Sequence, residues 1–238
     1  MLGCASRYVG RHPFALFWEI YGQSEMCAIA GILHVKGFAG RNWGRGIAHR
    51  MSGHLVGWGV PGHSQIRIVD TDGRSVRPGT SGRIQVRSKG CFTTYPNRPE
   101  AVTANMTTDG WWDTGDWGRK DRLARVVLLD RQVERLESAP SAIALEDILL
   151  DRIPSLLEAV VLERDHQLVP VVATRNGPLD LARWRAATRD LPFGSREPIV
   201  VDDGDIPRTA TGKVQRALLA ERVAASFDDG VPFTVCQP

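Results

Sequence analysis

Short runs of alternating side chains, separated by glycine-containing turns, most limit the folds open to this chain. Residues 65–70 alternate before the turn Asp72-Gly73, and the alternation resumes at 84–87 after a second glycine-rich turn. A period of two places alternate side chains on opposite faces of a strand, and such turns reverse the chain. The sequence therefore predicts a small antiparallel sheet or open barrel up to about residue 116, with 126–129 as a further buried strand.

After residue 130 the pattern changes to mixed helices and strands. The apolar spacing and the turn residues predict helices over 142–153, 178–191 and 212–225, and strands over 158–163, 168–174 and 199–201. Near the start, residues 14–33 are typical of a short buried strand, a turn and the beginning of a helix. We therefore expect an α+β protein: a β-rich part (1–129) that includes the small antiparallel subdomain or open barrel, followed by a compact α+β domain (130–238).

Composition excludes several classes of function. The 238 residues are 42% hydrophobic and carry a formal net charge of +3, so neither a nucleic-acid partner nor a disulfide-dependent fold is indicated. The four cysteines are scattered without the short spacing of a zinc site. No apolar run is long enough to span a bilayer, and no signal peptide is recognisable. A cytoplasmic protein with reduced thiols is expected.

Lys213 closes the segment Pro207-Arg208-Thr209-Ala210-Thr211-Gly212-Lys213, which precedes the last predicted helix. The glycine and the turn residues would form a mobile loop, and a lysine is a flexible point charge able to meet an oxyanion. A solvated helix start with a surface lysine explains the same residues. Composition alone favours that simpler interpretation.

Two further segments each have a functional and an ordinary interpretation. In 109–116 an aspartate follows a Thr-Gly turn, where its carboxylate could grip a vicinal diol such as ribose, although a simple turn is common there. In 21–25 the tyrosine could stack on a base, the glycine could admit a ligand to the backbone, and the serine and glutamate could meet phosphate and Mg²⁺. A capped helix start also fits 21–25.

Taken together, the three segments are far more specific. Tyr21–Glu25 resembles the motif Y-G-x-S/T-E, 112–116 resembles Y/W-x-T-G-D, and 207–213 resembles P-R/K-T-x-x-G-K. These motifs, in this order, are those of the adenylate-forming superfamily, which includes acyl-CoA synthetases, firefly-type luciferases and peptide-synthetase adenylation domains. The stretch between the first two motifs is also similar to that family. The resemblance covers nearly the whole chain and implies the C-terminal half of such an enzyme.

The resemblance implies ATP-dependent activation of a carboxylic acid, with Mg²⁺ as a cofactor and CoA or the pantetheine of a carrier protein as acceptor. It also implies roles for residues of the first motif: Tyr21 stacks on adenine, Gly22 admits the ligand, Ser24 contacts the acyl-phosphate region and Glu25 coordinates Mg²⁺. In the rest of the chain it implies that Asp116 holds the ribose hydroxyls, that Asp130 is the interdomain hinge, and that Lys213 stabilises charge during adenylation. Catalysis of this kind depends on positioning and electrostatic stabilisation.

Three departures from the family pattern limit this expectation. The family's Ser/Thr/Gly-rich phosphate loop lies upstream of the tyrosine motif, outside this sequence, so triphosphate binding should be weak. Val127-Leu128 take the place of a Gly-Arg pair whose arginine helps to bind the nucleotide, with Arg125 and Arg131 nearby. The segment 135–140 replaces a glycine-rich loop that admits pantetheine, so its bulkier residues and Pro140 should hinder CoA.

Two functions from different classes follow. The first is an acid–thiol ligase or acyl-adenylate-forming enzyme, incomplete as an isolated chain and complemented by a polypeptide that supplies the N-terminal half. The second is a catalytically degenerate remnant that binds nucleotide weakly or serves as a protein-interaction module. Retention of Glu25, Asp116 and Lys213 favours the first, and the absent phosphate loop favours the second.

Overall fold

Two compact units make up the chain. The computed structural model describes residues 16–35, 53–95 and 97–228, and the first unit ends at Arg135 while the second begins at Leu136. Each unit has its own buried apolar cluster. None of the helices within the described ranges is long and apolar enough to cross a membrane.

A seven-stranded antiparallel sheet dominates the first unit. Its members are β1 (Leu16–Gln23), β2 (Cys27–Val35), β3 (His54–Gly59), β4 (Ser64–Val69), β5 (Ser81–Ser88), β6 (Trp112–Lys120) and β7 (Val126–Arg131), with helix α1 (Glu100–Asn105) between β5 and β6. The spatial order is β1-β2-β3-β7-β6-β5-β4. Together with the second unit this confirms the predicted α+β class with an antiparallel, β-rich first part.

The alternation that predicted β4 and β5 also determines which side chains form the core. Ile66 and Ile68 pair across the sheet with Val86 and Ile84, and all four are buried, whereas Arg67 lies on the other face. The whole apolar cluster comprises Tyr21, Met26, Ile29, Ala30, Val56, Ile66, Ile68, Ile84, Val86, Trp112 and Val126. Burying this many aliphatic and aromatic groups is the main stabilising contribution to the unit.

Glycine allows close approach of strands at a bulge in β6. A Cβ atom at Gly118 would lie only 2.6 Å from the carbonyl oxygen of Val127 and 2.7 Å from a side-chain carbon of Ile84. The pairing register between β6 and β7 shifts between Trp117 and Gly118. Bulges of this kind increase the local twist of a strand. The bulge therefore coincides with the close contact at Gly118 and with an increased twist of β6.

The predicted helix start near Ser24 is wrong, because the chain makes a hairpin there. The amide of Met26 donates to the carbonyl of Gln23 at 3.1 Å, and β2 then runs antiparallel to β1. The consecutive residues Ile29 and Ala30 are both fully buried. An apolar segment buried on both faces has no period of two, and periodicity alone does not separate such a strand from a buried helix.

The second unit has a small mixed sheet covered by helices. Strand β8 (Leu156–Arg164) pairs antiparallel with β9 (Gln167–Thr174), and β10 (Ile199–Val200) pairs parallel with β9. The helices are α2 (Ala142–Arg152), α3 (Leu181–Thr188) and α4 (Arg216–Asp228). The predicted elements are all present, but α3 is shorter than expected and α4 begins at Arg216 rather than at residue 212.

Local chemistry explains the ends of these elements. The Ser141 hydroxyl accepts from the amide of Ala144 at 3.1 Å and caps the start of α2, while Asp180 does the same for α3. Asp165 and His166 form the turn between β8 and β9 with φ of 51° and 58°. Positive φ at both central residues is typical of the tight turn that matches strand twist.

Candidate active site

The curled sheet brings together Tyr21 and Asp116, which are 95 residues apart in sequence. The Tyr21 hydroxyl donates to Oδ2 of Asp116, although three strands separate β1 from β6 in the order of the sheet. Tyr21 is 9% exposed and Asp116 is 4% exposed. A buried carboxylate needs hydrogen-bond donors, since burial without them is costly. The contact therefore connects the first two sequence motifs and orients the carboxylate.

Gln23 and Arg131 complete this cluster, and neither was predicted from the sequence as a site residue. The Gln23 amide nitrogen donates to Oδ2 of Asp116 at 3.1 Å and to the carbonyl of Thr114 at 2.7 Å. Arg131 places its Nε 3.2 Å from Oδ1 of Asp116. Asp116 thus has a phenol, an amide and a guanidinium around it. We define these four residues, Tyr21, Gln23, Asp116 and Arg131, as the Asp116 cluster.

Strand pairing explains why Arg131 was missed. Arg131 is the direct cross-strand partner of Asp116 between β7 and β6. By resemblance, Leu128 stands at the position of the family's arginine, and Arg131 is only a neighbour in sequence. Residues directly opposite on paired strands have Cβ atoms about 5 Å apart, within reach of a guanidinium. Arg131 could have been found from the Asp-Arg pair at 130–131, which ends an apolar strand, but only if the pairing register of β6 and β7 had been known.

The protonation of Tyr21 follows from its surroundings. Burial, the neighbouring charge of Asp116 and the hydrogen bond to that carboxylate, in this order of size, raise the pKa of the Tyr21 phenol well above its ordinary value. The hydroxyl therefore remains a donor at neutral pH. The arrangement favours a fixed acceptor carboxylate beside a neutral aromatic ring, which suits hydrogen bonding to a diol next to a base.

Glu25 lies in the hairpin turn and is held by an aromatic group. The Tyr95 hydroxyl donates to Oε1 of Glu25, and the Phe92 amide donates to the Glu25 carbonyl at 2.9 Å. Phe92 packs edge-on against Tyr95 and Trp112, with ring centroids 4.5 and 5.6 Å apart. The hydrogen bond to Glu25, followed by burial and the Glu25 charge, raises the pKa of Tyr95. Among the described residues Glu25 forms no ion pair.

The predicted metal role of Glu25 rests on a single carboxylate. Within the ranges that the structure describes, no three His, Cys, Asp or Glu residues are grouped as metal ligands. Mg²⁺ in nucleotide sites commonly takes one or two protein carboxylates and completes its shell with phosphate oxygens and water. A half-buried carboxylate without a competing cation fits that chemistry. Ser24 in the same turn and Gly22 near the end of β1 are both exposed, so both are accessible to a ligand.

Lys213 belongs to the second unit and lies in a tight loop before α4. The Thr209 amide donates to the Lys213 carbonyl at 2.8 Å, and the Gly212 amide donates to the Thr209 carbonyl at 2.8 Å. Gly212 has φ of +81°, a conformation that disfavours side chains. The Lys213 side chain is exposed and has no hydrogen bond or ion pair within the part of the chain that the structure describes. Its ammonium group is therefore available.

The segment around the unit boundary differs from a mobile glycine loop. Glu163 accepts a hydrogen bond from the Ser138 amide at 2.9 Å, and the Ser138 hydroxyl lies within hydrogen-bond distance of both the Glu163 carboxylate and the His166 carbonyl oxygen, the latter at 2.8 Å, so that it donates to one of the two. These contacts fasten residues 137–138 to the turn between β8 and β9. Asp130, the predicted hinge, is 3% exposed inside β7, whereas Val133 in the following short helix Gln132–Glu134 is 92% exposed.

A cavity of about 350 Å³ lies on the first unit away from the Asp116 cluster. Side chains from β4, β5 and β6 and the loop before β6 line it, including Arg67, Arg83, Gln85, Asp109 and Asp113. Arg67 is paired with Asp109 at 2.8 Å and Arg83 with Asp113 at 2.9 Å. None of the four residues of the Asp116 cluster lines this cavity, so it is separate from the candidate site.

Sequence comparison finds relatives that are much longer than this chain. The chain is 40% identical over 226 residues to 3-amino-2-hydroxy-4-methoxybenzoate diazotase of Streptomyces cremeus, which covers 93% of the chain and 39% of that protein. It is 32% identical over 220 residues to indoleacetate–CoA ligase of Aromatoleum aromaticum, which covers 87% of the chain and 40% of the ligase. The chain thus spans about two fifths of these curated relatives. A scan against protein-family models found no match.

Structural comparison gives the same fold. ATP-bound MatB from Rhodopseudomonas palustris matches with a TM-score of 0.70 at 22% identity, over 93% of this chain and 43% of MatB. At that identity the likeness shows the fold alone. The sequence motifs, the relatives and the fold agree with one another.

Proposed function

Because this chain belongs to the adenylate-forming superfamily and corresponds to the C-terminal part of its acyl-CoA synthetase-like members, we propose that it serves in ATP-dependent activation of a carboxylic acid. The observation that carries the proposal is the hydrogen bond between Tyr21 and Asp116. It joins two motif residues from distant strands into one buried cluster. Gln23 and Arg131 support the same carboxylate.

The proposed reaction is an in-line displacement at phosphorus. A carboxylate oxygen of the substrate attacks the α-phosphorus of ATP, the bond from that phosphorus to the bridging oxygen of pyrophosphate breaks, and acyl-adenylate and pyrophosphate form. No proton needs to move in this step, so the protein contributes position and charge. Asp116 would accept from the ribose hydroxyls, Tyr21 would lie against adenine, Ser24 would contact the acyl-phosphate region, and Lys213 would offset the growing charge.

Mg²⁺ fits the proposal as an oxygen-bound ion. Glu25 would hold it through one carboxylate oxygen, and Tyr95 would keep that carboxylate in place. When bound, the ion neutralises charge on the phosphate oxygens. We also propose that Asp130 and the residues after it form the connection about which the second unit moves, since the boundary between the two compact units follows a few residues later, between Arg135 and Leu136.

The acceptor of the activated acid is a separate question. One relative is named a CoA ligase and the other a diazotase, so sequence similarity to them does not determine which step follows activation in this protein. Glu163 fastens residues 137–138, where a pantetheine arm would need an open backbone. We therefore confine the proposal to activation. Thioester formation with CoA or carrier-protein pantetheine would require those hydrogen bonds to open.

Complete turnover is proposed only for this chain together with the N-terminal part of such an enzyme. The chain spans about two fifths of its relatives' length, so the groups contributed by their remaining length must come from elsewhere in the same protein or from a second polypeptide. A cytoplasmic location is part of the same proposal. The alternative function is a non-catalytic module that binds nucleotide weakly or binds another protein.

Carboxylate-dependent exchange of pyrophosphate into ATP tests the proposal. The purified chain is assayed with and without any protein encoded beside it, and we expect exchange only in the complemented sample. Lys213→Ala should lower exchange about 100-fold or more, the usual cost of losing one stabilising charge. The exposed Lys89→Ala is the matched control and should retain activity. Asp116→Asn should weaken ATP binding about 10-fold, the cost of a lost charge-assisted hydrogen bond.

Two outcomes would change the conclusion. Exchange by the chain alone, abolished by Lys213→Ala, would show that no further part is required. Absence of exchange with every partner, together with absence of ATP binding in calorimetry, would exclude the ligase function and favour the interaction module.

A further inference from the structure

Arg208, a motif residue without an assigned role, connects three separate parts of the second unit. Its Nη2 lies 2.9 Å from Oε2 of Glu158 on β8 and 2.9 Å from Oδ1 of Asp203 in the short helix Asp203–Asp205. Its Nη1 donates to the carbonyl of Gly212 at 3.3 Å. The last contact reaches the residue directly before Lys213. A single guanidinium therefore joins the sheet, a turn and the tip of the lysine loop.

The loop itself has a closed backbone. Arg208 and Val214 form an isolated antiparallel bridge, and the Gln215 amide donates to the Pro207 carbonyl at 2.8 Å. The Lys213 amide donates to the Thr209 hydroxyl at 3.1 Å. These bonds preserve the shape of the segment 207–215. They do not determine where that segment lies on the unit, because all of them are internal to it.

Besides the packing of Val214 against the apolar cluster of the second unit, ion pairs at its two ends fasten the loop to the rest of the unit. Arg208 is one of them, and its side chain is 29% exposed. At the other end, Arg216 forms a two-pronged pair with Glu146 at 2.6 and 2.7 Å, and Glu146 also accepts from the Val161 amide at 2.7 Å. The Arg216 pair is more buried and stabilises the packing of α2, β8 and α4. The ion pairs of Arg208 with Glu158 and Asp203, in contrast, start from a residue within the loop itself.

We propose that Arg208 is a positioning residue that holds the loop 207–215 against β8 and thereby fixes the direction from which Lys213 is presented. The inference rests on the proposed function of Lys213. A lysine has a long, flexible side chain, and the Lys213 ammonium has no partner among the described residues. Its accuracy must then come from the backbone that carries it. A guanidinium with a planar fork can bind two carboxylates at once, which an ammonium does with less geometric control.

Amide hydrogen exchange of the full chain tests the positional role without any activity. Arg208→Gln should increase exchange at Gly212 and Lys213 about 10-fold or more, since each tenfold change corresponds to about 1.4 kcal/mol of lost local stability. Amides of β9 should exchange as in the wild type. Arg208→Lys keeps the charge but loses the fork, so it should give an intermediate rate. Arg185→Gln is the matched control, because Arg185 forms an exposed ion pair with Glu197 in the same unit.

Unchanged exchange at 212–213 in Arg208→Gln, or equally faster exchange throughout β9, would show that Arg208 does not act on the loop. In the complemented enzyme Arg208→Gln should lower kcat about 10- to 100-fold, as a displaced catalytic group does, with KM for ATP within about twofold of the wild type. A dominant rise in KM would instead make Arg208 a ligand-contacting residue and overturn the inference.

Failure of the underlying function gives a different pattern. If Lys213→Ala leaves pyrophosphate exchange intact, the proposed role of Lys213 is wrong, while the hydrogen-exchange data still decide whether Arg208 fastens the loop.

Discussion

At the scale of single residues, Asp116 is held on both of its carboxylate oxygens. Tyr21 and Gln23 contact Oδ2, while Arg131 lies at Oδ1. Donors from β1 and β7 therefore converge on a side chain of β6. Hydrogen bonds to a charged group contribute about 1.5–3 kcal/mol each in favourable geometry. The carboxylate is consequently preorganised, as its proposed role toward the ribose hydroxyls would require.

Tyr95 is the residue on which we expect the Mg²⁺ requirement to depend. Tyr95→Phe removes the hydroxyl that holds Glu25 but keeps the ring against Phe92. Loss of such a supporting hydrogen bond typically costs about 10-fold or more in metal affinity. The Mg²⁺ concentration for half-maximal pyrophosphate exchange should rise by that factor in the complemented enzyme. Thr94→Ala, next to it and exposed, should leave the requirement unchanged. An unaltered Mg²⁺ dependence in Tyr95→Phe would separate Glu25 from the metal.

At the scale of elements, Asp109 connects β4 to the loop that precedes β6. Its carboxylate accepts from Nη1 and Nη2 of Arg67 at 2.8 and 3.1 Å and from the Thr107 hydroxyl at 2.7 Å. Arg67 and Arg87 also lie on the Trp111 ring, at 4.5 and 4.7 Å from its centroid. The segment that precedes the motif 112–116 is therefore held on the sheet by the ion pair of Asp109 with Arg67 and by the two arginines on the Trp111 ring.

This connection predicts a loss of stability in acid. The hydrogen bonds from Arg67, and then that from Thr107, lower the pKa of Asp109 to about 2 from its ordinary value of 3.8. A carboxyl whose folded pKa is lowered stabilises the protein above the unfolded pKa, and this contribution is lost as pH falls through the folded pKa. Urea unfolding followed by tryptophan fluorescence should show a decline from pH 4 to pH 2 that is shallower in Asp109→Asn. Asp72→Asn, whose ion pair with Arg74 is exposed, is the control. Identical slopes in Asp109→Asn and the wild type would disprove the assignment.

At the scale of the whole molecule, the two units have separate cores. The first unit ends at Arg135 and the second begins at Leu136, and Val133, close to that boundary, is almost fully exposed. Proteases cut exposed segments that few contacts protect. Within the described ranges, limited trypsin digestion should therefore cut first after Arg131 or Arg135, and mass spectrometry of the fragments identifies the site. Arg135→Gln should abolish the cut after 135. Early cuts inside β4–β6 or β8–β9 instead would contradict this division of the chain.

Such a digest also tests the boundary predicted at residue 130, which stays a prediction. Asp130 is buried within β7, where it pairs with Trp117. The pattern of apolar and polar residues changes near that position because the last apolar strand of the first unit ends there. The compact unit, however, also includes Arg135, whose guanidinium lies 3.9 Å from the Trp117 ring centroid. A contact between residues 18 positions apart is not visible in local composition.

The sequence by itself determined the elements that depend on near neighbours. The alternation at Ile66, Ile68, Ile84 and Val86 predicted strands whose buried face is the observed one, and Ser141 lies at the start of the predicted helix that it caps. The three motifs also identified the superfamily, which the relatives confirm. Periodicity and capping involve residues a few positions apart, so the chain records them locally.

Only the tertiary structure decided which residues meet. Tyr21 reaches Asp116 across three intervening strands because the sheet curls, Arg131 reaches it because β6 and β7 pair in one register, and Arg208 gains two carboxylate partners from separate elements. The hairpin at 24–35, where the sequence predicted the start of a helix, was likewise decided by the tertiary structure. Strand pairing and sheet curvature depend on the packing of the whole core, and no local pattern in the sequence encodes them.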